Sequence, residues 1–388
     1  MASFNQIYNL VNAITQESIG GTAITVKDTA SFVTLGNLVL SSSDNTDEFY
    51  NKLPDVIGRI VTRYYTVKRR DRGLDMDPIE WGIAIEEIER SQIARAKQNK
   101  SWGDQPNPFA MLRDDTAFDV SIYSVLAGWE LNKLTYDHQL QTAFHNEIEM
   151  TSFLSMIMQD MYDGMTQAKN DTDKLCEATA MAQSVAASVG TNPKRTAFNL
   201  LTAYKTDFPT STITAATARR DTDFLRYSTE MMLNVLEDAQ GDISKLYNVA
   251  GYEKELDDDY RFHMLAEFAN ALSIYLRADT YHEDLVKLPG FSKIKSWQGS
   301  GEADSFDDKS TINVTNGDIT VKLSGIVAHI FARGRCMTMI DKIRTKSLYN
   351  PIGEMTNWAH KADIGYAVRP GDIGIIFYIA DKDWAPAG

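Results

Sequence analysis

Long apolar runs are missing from this chain of 388 residues. No stretch approaches the ~18 apolar residues that a membrane span needs. The opening "MASFNQIYNLVNAITQ" has no basic leader followed by an apolar core, so it does not read as a signal peptide. Cysteine is scarce. Cys176 and Cys336 are the only two and stand far apart, which disfavours a disulfide scaffold and favours a cytosolic home. Basic charge is short as well: 39 Lys and Arg face 53 Asp and Glu, a formal net charge of −14. Proteins that grip phosphates do so with a basic face, so generic nucleic-acid binding is disfavoured.

Catalytic signatures are equally thin. G-x-S-x-G, P-loop and G-x-G-x-x-G patterns are absent, so hydrolase, NTPase and dinucleotide readings lack their usual support. His145-Asn146-Glu147 matches half of a zinc-deaminase signature, but no P-C-x-x-C follows. His145 and Glu149 share a helical face as metal ligands can, yet no second such pair occurs on another helix, where a di-iron bundle needs one. A polar stripe on a long helix explains them better. The "HED" at 282–284 reads as a solvated helix end, and Cys336 has no His beside it in sequence. No enzyme, cofactor or metal is expected.

What is present reads as a folded α+β chain. With 43% apolar and 24% charged residues, 388 residues can bury one large core or two to three smaller ones. Residues 1–52, small and polar with short apolar pieces such as "FVTLGNLVL", read as an extended N-terminal arm without its own core. Residues 53–90 read as a hairpin: "VIGRIVTRYYTV", a polar tip "KRRDRGLDMDP", then "EWGIAIEEI". Leu140, Phe144 and Ile148, then Leu154, Ile157, Met161 and Met165, predict a long helix over 136–169, with a second helix over 172–188. Residues 196–215 read as strand or loop, 222–239 and 261–277 as helices, and 297–310 as a polar loop. After that the period falls to two at Ile319, Val321 and Leu323, and "GIVAHIFA" and "GIIFYIA" read as buried strands.

Two local features stand out. Lys68, Arg69, Arg70 and Arg72 crowd the hairpin tip, either as a solvated loop or as an electrostatic latch onto acidic stretches such as "ELDDDY" and "EADSFDD" of another copy. Near the C-terminus, "SLYNPIGEMTNWAHKADIGYAV" places Asn350, Pro351 and Gly353 at the first, second and fourth positions of a type I turn.

The ending "YNPIGEMTNWAHKADIGYAVRPGDIGIIFYI" resembles the C-terminal signature of major capsid proteins from tailed bacteriophages. "EWGIAIEEIE" is similar to the return strand of their E-loop, and "LQTAFHNEIEMTSFLSMIMQDM" to their spine-helix region. The resemblance runs from about residue 56 to 380 and is nearest to short-tailed phages. It implies the Hong Kong 97-type capsid fold: arm 1–52, E-loop 53–90, P domain with spine helix 91–190, A domain 191–320, and a C-terminal return 321–388. The implied function is a structural subunit that self-assembles as hexamers and pentamers into an icosahedral head around double-stranded DNA. Contact candidates are Lys68, Arg69, Arg70, Arg72 and Glu354. Implied partners are further copies, a separate scaffolding protein, a portal, minor capsid proteins, and DNA bound without sequence specificity. No membrane is involved. The chain reads as uncleaved and as lacking a Lys–Asn cross-link, although Lys68 stands in the E-loop. The virion is the implied location, with assembly in the host bacterial cytoplasm. An encapsulin-like shell of the same fold, or a helical metal enzyme at His145 and Glu149, are the alternatives.

Overall fold

A computed structural model describes residues 11–12, 25–40, 72–75, 84–93, 118–124, 127–136, 139, 147–190, 192–279, 288–298, 305–316, 319–350 and 352–386. The segment read as an arm contains a helix, α1 (Thr29–Leu40). Phe32, Leu35 and Val39 recur at helical spacing on it and are fully buried, and the Asp28 carboxylate accepts the Ser31 N–H at 2.8 Å in the first turn.

The centre of the molecule is α2 (Glu147–Ala187), a single helix of 41 residues. The sequence predicts two helices broken near "KNDTDK"; the helix runs straight through. The broken reading fails because the buried stripe is itself polar. Lys169, Asp173, Glu177 and Ser184 lie along one face and are all buried, together with Cys176, Ala180 and Met181. Apolar periodicity disappears from such a stripe wherever charge enters it.

The two larger sheets pack against this helix, and the hairpin at 312–323 touches it as well. In the first, β10 (Cys336–Asn350) and β11 (Met355–Val368) form a long antiparallel hairpin, and β3 (Ala127–Tyr136) adds to the far edge of β11. Thr356, Trp358, His360, Ala362 and Ile364 alternate on the buried face of β11, against which α2 packs. In the second sheet the order is β4 (Ala197–Asn199), β12 (Gly374–Tyr378), β9 (Ile326–Ala332), β5 (Tyr260–Leu265), β6 (Ser292–Ile294). Its outer pairs are parallel and its inner pairs antiparallel. Strands β9 and β12 are buried along almost their whole length, which is why they read as continuous apolar runs. This sheet takes strands from both sides of the 320/321 boundary expected from sequence.

Helices α3 (Leu200–Asp207), α4 (Ala215–Ala218), α5 (Thr222–Gly241) and α6 (Ala266–Asp279) join the large core of that sheet, α3 and α6 against its strands and α5 against those two helices. Two expectations change here. Residues 200–207 are a helix, capped by Asn199, whose side chain accepts from the backbone N–H of Leu201 and Thr202. Residues 260–265 are the strand β5, although "YRFHMLAEFANAL" reads as one helix, because six residues preceding an amphipathic helix carry no period of their own. A short helix α7 (Phe306–Ser310) sits within the stretch read as a loop and leads into the hairpin of β7 (Ile312–Asn316) and β8 (Ile319–Leu323). Lastly, β1 (Ala84–Arg90) pairs antiparallel with β2 (Phe118–Ser124). The hairpin partner expected for β1 at 56–67 lies outside the described residues.

Candidate functional site: a polar seam and two outward apolar faces

Each polar residue of the α2 seam holds a different part of the chain. Lys169 pairs with Asp75 at 2.5 Å, and Asp173 accepts the Thr338 hydroxyl at 2.7 Å. Glu177, wholly buried, meets Arg72 at 2.5 Å through Oε2, and His263 and His329 at 2.8 and 3.3 Å through Oε1. Arg72 also donates to the Ser296 carbonyl at 2.9 Å. Burial alone raises the Glu177 carboxyl, yet His263, Arg72 and the hydrogen bonds from both histidines outweigh it and hold the group well below the usual carboxylate range. Burial pushes His329 down to about 4 against the pull of Glu177.

Further along the helix, Ser184 receives the Arg335 guanidinium at 2.9 Å. Arg335 is fully buried and donates also to the carbonyls of Arg369, Asp372 and Ala180. A Cβ at Gly374 would enter that guanidinium, so the glycine makes room for it.

The seam corrects one sequence expectation. Arg72, placed at a loop tip reaching for a neighbour, is engaged inside its own subunit, where the buried Glu177 carboxylate holds it. The rest of 72–75 follows it down, as the Thr338 N–H donates to the Leu74 carbonyl at 2.8 Å. Lys68, Arg69 and Arg70 lie outside the described residues, as does His145; the side chain of Glu149 is likewise not described.

The turn at 350–354 is also where the sequence put a reversal, but it is the tip of the long β10–β11 hairpin. Asn350 pairs with Met355, and its side-chain oxygen accepts the Ile352 N–H at 3.1 Å, an Asx turn. Pro351 lies outside the described residues. The left-handed residue is Glu354, at φ +45°, and not Gly353. We therefore expect Glu354→Gly to stabilise the subunit by up to ~1 kcal/mol through relief of the Cβ clash. Gly353→Ala should change stability by less than ~0.5 kcal/mol, since only the flexible end of Met355 stands in the way. Melting curves of both variants check this; a destabilised Glu354→Gly would show that the glutamate side chain has a partner.

Among the described residues, two groups of exposed apolar side chains face outward. In the β1–β2 sheet the polar face is turned inward: Glu87 pairs with Arg369 at 2.6 Å, Glu89 with Lys254 at 2.7 Å, and Asp119 accepts the Tyr252 hydroxyl at 2.6 Å. The opposite face exposes Ile88 by 67%, Phe118 by 61% and Val120 by 55%, with Ile88 directly across from Val120. This is the reverse of the usual arrangement, in which a sheet turns its apolar side to the core. The second face lies near the hairpin tip, where Leu348 shares a row with Leu134 across β11 and Ile352 projects beyond, 96% exposed.

Among the described residues no cluster of three or more metal-ligating side chains occurs, and no helix is long and apolar enough to cross a membrane. The capsid protein of Staphylococcus phage Andhra has this fold, with a TM-score of 0.50 at 12% identity over 81% of this chain and 85% of that one. A capsid structure of the cyanophage P-SCSP1u aligns with a TM-score of 0.48 at 11% identity, over 83% and 95%. No curated protein sequence matches the chain. The family model described as Phi29-like phage major capsid protein matches residues 11–371, and the chain belongs to that family. It is a structural protein of the virion, with the Hong Kong 97-type capsid fold, and its copies self-assemble into the icosahedral head shell. The encapsulin and metal-enzyme alternatives are not favoured.

Proposed function

We propose that the shell closes through heterologous contacts, in which the outward face of β1–β2 on one copy meets the apolar hairpin-tip face of the next. Repeated around an axis, such a contact closes a ring, and hexamers and pentamers are the rings an icosahedral head requires. The inverted β1–β2 sheet carries this reading. Ile88, Phe118 and Val120 stay in water in a lone subunit beside the exposed Arg90, and apolar side chains gathered on one outward face suit a docking surface. Lys68, Arg69 and Arg70 add an electrostatic latch, facing a neighbour's acidic surface; Asp257 and Asp258 of "ELDDDY" are exposed and suited to it. Glu354, exposed at the hairpin tip, belongs to the same class of contact.

The remaining partners follow from the chain's charge and class. The head encloses double-stranded DNA without sequence-specific contact, since a coat of net charge −14 repels the phosphates it surrounds. Assembly takes place in the host bacterial cytoplasm on a separate scaffolding protein, with a portal and minor capsid proteins added, in a short-tailed phage.

Val120→Asp should leave the subunit folded, because the side chain already faces water, and should abolish shells. Arg69→Glu with Arg70→Glu should reduce shell number, and wild-type shells should weaken as salt screens the latch. Negative-stain particle counts beside circular dichroism read both. Normal shell numbers from Val120→Asp would sink the β1–β2 contact, and normal numbers from the double variant would reduce the basic cluster to a solvated loop.

A further inference from the structure

The only two cysteines of the chain meet in the fold. Cys176 lies on the buried face of α2 and Cys336 is the first residue of β10; both belong to one small cluster with Leu74, Ala180 and Phe331. The Cys176 thiol points at the carbonyls of Met337 and Ala367, at 3.7 and 3.5 Å, which belong to the residues next to Cys336 and to its β11 partner Val368. The two thiols are neighbours in that cluster, and both are buried. Two cysteines so distant in sequence do not become adjacent through local structure. The α2–β10 junction brings them together.

We propose that Cys176 and Cys336 are a latent staple: free thiols while the shell is built, and an intrachain disulfide tying α2 to the root of β10 after the virion meets a peroxide outside the host. This rests on the family membership of the chain and not on the inter-subunit contacts proposed above. The chemistry balances with hydrogen peroxide as oxidant. One cysteine sulfur, as thiolate, attacks a peroxide oxygen; the O–O bond breaks, leaving a sulfenic acid and releasing water. The second sulfur then attacks the sulfenic sulfur, the S–S bond forms, the S–O bond breaks, and a second water leaves with the remaining proton. Two thiols lose two electrons and the peroxide gains them.

Burial sets the selectivity. It pushes the Cys336 thiol well above its ordinary value, with the neighbouring Cys176 adding to the rise, so thiolate is scarce and the reaction is slow. A site closed on every side admits an oxidant the size of peroxide during local opening and excludes a bulky one such as glutathione disulfide. Slow oxidation suits a particle that persists outside a cell. The staple would close a loop of more than a hundred residues and fix the helix–sheet junction beside the Arg72–Glu177 pair.

The test uses assembled wild-type particles, incubated with hydrogen peroxide, denatured with an alkylating agent present, and mapped by peptide mass spectrometry. The expected result is a linked pair of peptides containing Cys176 and Cys336, a loss of about 2 Da per subunit, and no glutathione adduct after parallel treatment with glutathione disulfide. Oxidised particles should melt at least ~3 °C above reduced ones, a difference abolished in Cys336→Ala. If that variant does not assemble, the wild-type map decides alone. Thiols that stay free, sulfinic or sulfonic acid without the 176–336 link, or disulfides between subunits would each overturn the proposal.

Discussion

Glu177→Gln should destabilise the subunit by about 3–5 kcal/mol, the range for removing one member of a buried ion pair, and should prevent shells from accumulating. The carboxylate is the shared acceptor for Arg72, His263 and His329. An amide in its place turns a donor toward a guanidinium or an imidazole and leaves a buried cation without compensation. The double variant Glu177→Leu with Arg72→Met should recover much of the loss, since it removes both charges together. Thermal melting of the unassembled subunit reads the effect. A Glu177→Gln protein that melts within a degree of wild type would show that Arg72 finds another acceptor.

The same cluster predicts how the protein responds to acid. Facing one another are Arg72 from the 72–75 segment, Glu177 from α2, His263 from β5, His329 from β9, and Arg335 just before β10. His329 is depressed from 6.5 to about 4, so between those values the unfolded chain takes up a proton that the folded one refuses. Stability therefore falls as pH drops through that window, by on the order of 3 kcal/mol at most. Glu177, held below its ordinary value of 4.5, stabilises the fold above that value, and its contribution is lost only at lower pH still. His329→Gln should flatten the decline between pH 6.5 and 4 without removing the final acid transition. An unchanged pH profile in that variant would exclude His329 as its source.

Arg335→Met should be comparably damaging. Its guanidinium supplies donors to Ser184 and to carbonyls of α2 and of the loop before β12, with no water to replace them in a site of zero exposure. Leaving those acceptors empty is expected to cost about 3–5 kcal/mol in total. Arg335→Lys should recover only part, because an ammonium lacks the planar fork that reaches several acceptors at once. Gly374→Ala should fail in the same way from the other side, by pushing a methyl group into the guanidinium. A normal melting temperature for Arg335→Met would show that the carbonyls are satisfied without it.

Much of the architecture is legible in the amino-acid pattern alone. Period-two and continuous apolar patterns locate β8, β9 and β12, and helical spacing locates α5 and the first half of α2. These are elements whose side-chain pattern follows from local geometry, so the pattern survives in the sequence. The C-terminal turn residues mark a reversal, and Asn350 does anchor it through its side chain. They do not show that the strain falls on Glu354, which depends on how many residues the hairpin register leaves in the loop.

The seam of α2 is not legible in this way, and neither is the inversion of β1–β2. Lys169, Asp173 and Glu177 look solvated in sequence, because a charge is buried only where a partner waits, and their partners Asp75, Thr338 and Arg72 come from distant positions. In β1, "AIEEIER" puts Ile85 with Glu87 and Glu89 on one side and Ile88 with Glu86 and Arg90 on the other, so the pattern cannot say which side meets the protein. Lys254, Tyr252 and Arg369 settle that by drawing the acidic side inward, leaving Ile88 to water. The sequence by itself therefore determined the α+β class, several element positions and the resemblance to phage capsid proteins. Tertiary structure alone decided which charges are buried, which apolar faces remain open and which two thiols meet, because each depends on residues that only the folded chain brings within a few ångströms.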